Sequence, residues 1–169
     1  MITGPTLDTR EAQDYVAIRT QVTMEEMDTV PPQLHDEVFV WLETQGVPPA
    51  GAPFIRYHVI NMSAQLDIEL GVPVARPLSG DERIRPGVIP AGRYASLVYT
   101  GDYADLIEAN RVLIDWAKEN GIRWDAWEAE NGDAFGGRFE FYPNGPDTEP
   151  DPAKWETEVA IRLADDQAQ

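Results

Sequence analysis

Ile89-Pro90-Ala91-Gly92-Arg93-Tyr94-Ala95-Ser96-Leu97-Val98-Tyr99-Thr100 reads as a strand with a Pro-Ala-Gly lead-in, and behind it the chain changes period. From 103 to 120, Tyr103, Leu106, Ile107, Asn110, Leu113, Ile114 and Ala117 recur three and four positions apart, an amphipathic helix that Gly121 closes. Downstream, residues 136–142 and 155–163 alternate apolar with polar, the period of strands, on either side of the turn-rich stretch 143–152. The unit is β-α-β-β. Upstream the same order recurs. Residues 15–22 alternate, with Tyr15, Ala17, Arg19 and Gln21 against Val16, Ile18, Thr20 and Val22. Pro31 and Pro32 then open a helix carrying Leu34, Val38, Trp41 and Leu42 to Gly46, and strands follow at 54–60 and 66–74. Residues 77–86 form a polar connector between the units.

The expectation is an α+β domain of duplicated β-α-β-β units, one at about 14–76 and one at about 87–164, inside a single domain spanning 14–169. Residues 1–13 are polar, with Gly4 and Pro5, and read as a flexible N-terminal arm. Two units that cannot cover both faces of a sheet alone should pair about a pseudo-two-fold. Antiparallel sheets would then carry both helices on one side and leave a ligand cleft on the other.

Composition narrows function. At 169 residues, 43% hydrophobic and 25% charged, the chain has the makeup of one globular domain. Thirteen Lys and Arg against thirty Asp and Glu give a net charge of −17, a field that repels nucleic-acid phosphates and anionic lipid headgroups. No direct nucleic-acid partner and no membrane partner are expected. The absence of Cys removes disulfides, thiolate metal sites and Cys nucleophiles. No apolar run approaches a membrane span, and the first residues lack the basic start and apolar run of a signal peptide, so a cytoplasmic location is expected.

Familiar catalytic motifs are missing: no nucleophile elbow, no P-loop, no paired zinc histidines on a helix. His35 reads as a surface or capping residue of the first helix and His58 as a neutral strand histidine, so no metal site and no cofactor are expected. The stretch that stands out is Gly136-Gly137-Arg138-Phe139-Glu140-Phe141-Tyr142-Pro143. Alternation puts Phe139 and Phe141 on one face, expected to pack on the helices, and Arg138, Glu140 and Tyr142 on the other, lining the cleft. A mid-strand carboxylate among aromatics needs a partner. That partner is either Arg138 or Arg56, or the positive end of a ligand. Trp124, Trp127, Tyr142 and Trp155 cluster in the same half of the sequence, and aromatic faces stabilise a cation by about 0.5–2 kcal/mol each.

These segments resemble the GyrI-like effector-binding domains, which occur alone or behind DNA-binding modules in AraC-type and MerR-type multidrug regulators. Leu66-Asp67-Ile68-Glu69-Leu70-Gly71-Val72-Pro73-Val74 is similar to the family's D-x-E-x-G-x-P-V segment. Ile89–Ala95 matches its P-A-G-x-Y-A lead-in, Glu140-Phe141-Tyr142 its E-x-Y, and Thr157-Glu158-Val159 its closing T-E-I. The resemblance covers roughly 14–164. It implies that Glu140 is the acidic residue that meets cationic lipophilic ligands, with Tyr57, Trp127, Tyr142 and Trp155 as aromatic walls; strand parity counts against Tyr57, and Asp67 and Glu69 look structural. About fourteen residues precede the first strand, too few for a helix-turn-helix, so no direct DNA contact is expected. Three functions fit: a stand-alone module capturing an amphipathic, cationic or aromatic small molecule in a cleft with a central glutamate; a hydrolase opening cyclopropane-containing toxins in the same cleft, with Glu140 as its catalytic residue; or an acidic protein inhibitor of a topoisomerase.

Overall fold

The computed structural model describes residues 1–165. The expected end of the domain at 169 lies outside them. Among the described residues the chain forms ten strands and two α-helices: β1 (Ile2–Arg10), β2 (Gln13–Val22), α1 (Val30–Gln45), β3 (Phe54–Ile60), β4 (Leu66–Pro73), β5 (Arg85–Ile89), β6 (Gly92–Thr100), α2 (Leu106–Glu119), β7 (Ala126–Ala129), β8 (Gly132–Phe135), β9 (Arg138–Phe141) and β10 (Glu156–Arg162). The architecture is a mostly antiparallel α+β sheet with two helices. Both helices end as the sequence indicates, α1 at the left-handed Gly46 (φ 67°) and α2 one residue before the left-handed Gly121 (φ 66°). None of the described helices is long and apolar enough to cross a membrane.

The strand order is β1-β6-β10-β9-β3-β4-β2-β5, with the β7–β8 hairpin attached to β3 through β8. This order keeps its form when the two halves are exchanged, and its centre is the β9–β3 pair. α1 packs on β4 and β2, and α2 on β6 and β10. The central pair therefore lies between the two helices.

Three segments depart from the expectations. Residues 2–10 are not a loose arm but strand β1, paired with β6 from Ile2↔Tyr99 to Arg10↔Gly92. Most β1 side chains remain exposed, so no apolar alternation marks the strand; backbone pairing holds it, and Arg10 fastens its end to Glu158 at 3.0 Å. The single strand expected at 89–100 is two, because Pro90 cannot donate to a ladder and the chain turns there. The segment holding Trp124 and Trp127 includes the hairpin β7–β8, whose four-residue strands are too short to show a period.

The break at Pro90 reveals the shape of the sheet. Two residues separate Ile89 at one edge strand from Gly92 next to the other edge, a span of at most ~11 Å. A flat sheet would hold β5 and β6 ~29 Å apart, six strand spacings. The sheet must curl, and its concave side is the one without helices. Tyr15, Phe54, Tyr94, Phe139 and Ala160 are buried there to 2% exposure or less. The Phe54 ring lies over its ladder partner Gly71, where a Cβ would stand 2.5 Å from it. This corrects the expected arrangement: aromatic rings, not an open cleft, fill the helix-free face.

At the edge of that face Glu69 accepts hydrogen bonds from the Tyr15 hydroxyl at 2.6 Å and from His58 Nε2 at 2.7 Å. Burial pushes the Glu69 carboxyl up, but the His58 and Tyr15 hydrogen bonds outweigh it and hold the group below its ordinary 4.5. A depressed folded-state value stabilises the fold above 4.5 and loses that contribution as pH falls through the lowered value. The urea midpoint should hold steady from about pH 7 to 5 and then fall, with Glu69→Gln removing part of the fall. A wild-type midpoint unchanged down to about pH 3 would contradict this.

Candidate functional site

Glu140 is 7% exposed in the middle of the sheet. Its ladder partners are Ile55 on β3, which packs in the cluster under α1, and Val159 on β10, which packs in the cluster under α2. The side chain therefore rises on the helix-bearing face, between α1 and α2, where the sequence reading had the opposite face. The alternation itself holds: Phe139 and Phe141 point the other way, but into the concave aromatic core instead of toward the helices. Alternation says which residues share a face; it does not say which face the helices cover.

Three neutral donors hold the carboxylate. The Tyr142 hydroxyl donates to Oε1 at 2.7 Å and the Tyr57 hydroxyl to the same oxygen at 3.0 Å, while Asn110 Nδ2 donates to Oε2 at 3.0 Å. Burial, and then the negative charge of Glu140, pushes both phenols well above their ordinary value of 10.0, so both are neutral donors. Neither arginine proposed as a partner forms an ion pair with Glu140. Arg56 lies on the concave side, bonded to the Tyr15 hydroxyl and to the Val88 and Gly136 carbonyls. Arg138 donates to the Asn110 side-chain oxygen and lies over the Phe135 ring.

An aromatic path leads outward from the carboxylate. Tyr142 meets Tyr103 edge to face at 5.8 Å, and Tyr103 lies tilted by 30° against Trp155 at 4.6 Å; the Trp155 indole donates to the Glu149 carbonyl at 2.7 Å. From the other side the His35 ring stands 6.4 Å from Tyr142, and its Nε2 donates to the Phe54 carbonyl at 2.8 Å. His35 is thus no surface cap; burial holds it below the ordinary imidazole range.

Of the six residues expected at the site, Glu140, Tyr142 and Tyr57 come together and Trp155 joins through Tyr103. Tyr57 belongs because the register sets Ile55 opposite Glu140, which puts Tyr57 on the same face, against the parity argument. Trp124 bridges to Leu163 and packs in the α2 cluster, and Trp127 stands 55% exposed on β7. The reading missed Asn110 and Tyr103. Asn110 had a signal: it is an amide in the apolar stripe of an amphipathic helix, between Leu106 and Leu113. A separate shallow cavity of about 180 Å³, lined by Gln21, Asn61, Ala64, Gln65, Asp67 and Asn131, includes none of the Glu140 cluster.

A family model described as the GyrI-like small molecule binding domain matches residues 4–164. No curated protein matches the chain by sequence. Among solved structures, EcmrR in its DNA complex is similar at TM-score 0.72 and 20% identity, over 95% of this chain and 57% of that one, so the chain spans little more than half its length. The EcmrR C-terminal domain alone gives 0.70 and 20%, covering 95% and 97%. SAV2435 bound to tetraphenylphosphonium gives 0.66 and 10%, covering 96% and 94%. A protein described as a hydrolase from Listeria innocua gives 0.62 and 10%, covering 95% and 91%. At these identities the likeness is one of fold.

Proposed function

The chain belongs to the GyrI-like small molecule binding domain family, and on that footing we propose that it captures an amphipathic aromatic or cationic molecule between α1 and α2, at Glu140. One observation carries the reading: a carboxylate buried in mid-sheet and held, among the described residues, by neutral side-chain donors. Burying a charge is costly, and three neutral hydrogen bonds offset only part of that cost. A ligand that supplies a donor or the positive end of a dipole adds what the apoprotein lacks. The Tyr142–Tyr103–Trp155 path gives such a ligand aromatic walls on its way in. SAV2435, of the same fold, was solved with a lipophilic cation, tetraphenylphosphonium.

Trp155 makes the test direct. Titration with amphipathic aromatics, cationic and neutral, should quench tryptophan fluorescence saturably, and Glu140→Gln should weaken the tightest of them at least tenfold while circular dichroism stays unchanged. Equal affinity in the variant would remove Glu140 from the site.

A second reading, hydrolysis, is favoured by the two phenols on one carboxylate oxygen. Such a group holds protons next to a base: Glu140 would take a proton from water as its oxygen bonds one ring carbon and the strained C–C bond breaks, and Tyr57 or Tyr142 would protonate the released carbon and recover its proton from Glu140. Turnover beyond one equivalent of a cyclopropane-bearing aromatic, abolished by Glu140→Gln, separates this reading from capture alone. The fold is shared with the protein described as a hydrolase from Listeria innocua.

A further inference from the structure

Arg138 stands two positions before Glu140 on β9 and therefore on the same helix-bearing face. Its guanidinium lies over the Phe135 ring, 4.7 Å from the centroid, and donates to Asn110 Oδ1 at 3.1 Å. Among the described residues no carboxylate comes within ion-pair distance of it. Asn110 spends its amide nitrogen on the Leu106 carbonyl at 2.9 Å and on Glu140 Oε2 at 3.0 Å. The orientation of this amide is fixed by its neighbours, because only its oxygen can face a guanidinium and only its nitrogen a carboxylate. This face thus holds one positive and one negative side chain, separated by the width of a single amide.

That arrangement has a chemical meaning. A permanent cation docking at Glu140 arrives next to a second cation in a water-poor site, where like-charge repulsion is weakly screened and offsets the attraction. A neutral group with an acceptor at one end and an N–H at the other meets both charges favourably. Asn110 already demonstrates the fit, since its own carbonyl and NH₂ occupy the gap.

Resting on the reading that Glu140 contacts the ligand, we propose that this chain selects a neutral aromatic molecule bearing an amide or lactam edge, which takes the place of the Asn110 side chain with its carbonyl on Arg138 and its N–H on Glu140, and that Arg138 discriminates against permanent lipophilic cations. Arg138 is then the specificity-determining residue of the cleft and Asn110 its internal stand-in. The burial that lowers the Arg138 pKa also makes its guanidinium receptive to a ligand carbonyl.

The test uses the full chain and three probes followed by tryptophan quenching: 1-naphthamide, its methyl ester analogue, which lacks the donor, and tetraphenylphosphonium. The wild type should bind the amide at least tenfold more tightly than either of the others. Arg138→Met, which keeps the stem on Phe135, should weaken the amide and strengthen the cation, each about tenfold. Asn110→Ala removes the internal competitor and should tighten the amide severalfold, and it serves as the deciding variant if Arg138→Met does not fold. A wild type that prefers tetraphenylphosphonium, with that binding lost in Glu140→Gln, would overturn this proposal and leave the Glu140 reading intact. Absence of binding by every probe would overturn both. Ester and amide binding equally well would refute the donor–acceptor edge.

Discussion

Phe139→Ala is expected to lower the free energy of unfolding by about 3–5 kcal/mol, the usual cost of deleting a fully buried aromatic ring. Phe139 has no exposed surface and sits 5.7 Å from Phe54, 5.5 Å from Phe141 and 6.3 Å from Tyr94. The cavity left behind cannot easily collapse, because the surrounding rings hang from paired strands of a curled sheet and not from a helix free to shift. Urea denaturation followed by tryptophan fluorescence measures the loss, with an unchanged slope showing that the unfolded state is the same. The side chain points away from Glu140, so ligand affinity of the folded protein should be retained. A loss below about 1 kcal/mol would mean that the concave face is not a packed core.

Arg56→Met should cost about 2–4 kcal/mol by the same measurement, through polar bonds where Phe139 acts through packing. The guanidinium donates to the Tyr15 hydroxyl at 2.9 Å, to the Val88 carbonyl of edge strand β5 at 3.0 Å, and to the Gly136 carbonyl before β9 at 2.9 Å. It therefore clasps the curl from the edge to the centre. It also lies over the Phe139 ring, 5.4 Å from the centroid. Methionine keeps much of the stem packing but strands two carbonyls and takes away the donor to the Tyr15 hydroxyl, which still donates to Glu69. Among the described residues Arg56 Nε is itself buried without a hydrogen-bond partner, so the net effect stays below the sum of three charge-assisted bonds. Stability within about 0.5 kcal/mol of wild type would show that Arg56 is a bystander.

Phe139 and Arg56 both lie on the helix-free face, for Phe139 the side opposite to the one that polarity alone suggests. The alternation of Arg138, Glu140 and Tyr142 against Phe139 and Phe141 was legible, because a strand's side chains must alternate. Apolar residues were then assigned to the helices and polar ones to open space. In the folded chain both faces of β9 are buried, one under curled strands and one between helices, so residue polarity stopped reporting on the side. Strands β1, β5, β7 and β8 went unread for a related cause: they lie at edges or in a short hairpin, and their side chains are too exposed or too few to carry a period.

By itself the sequence determined the two helices with their glycine stops, the central strands, the family, and Glu140 as the unusual carboxylate. These are properties of local conformation and of single residues, fixed by neighbours a few positions away. Only the tertiary structure decided that the sheet curls, that Tyr57 and Tyr142 share one oxygen of Glu140, and that Asn110 stands between Glu140 and Arg138. Each of those facts depends on the register between strands and on the seating of a helix across them, contacts between residues 28 to 83 positions apart that no local pattern encodes.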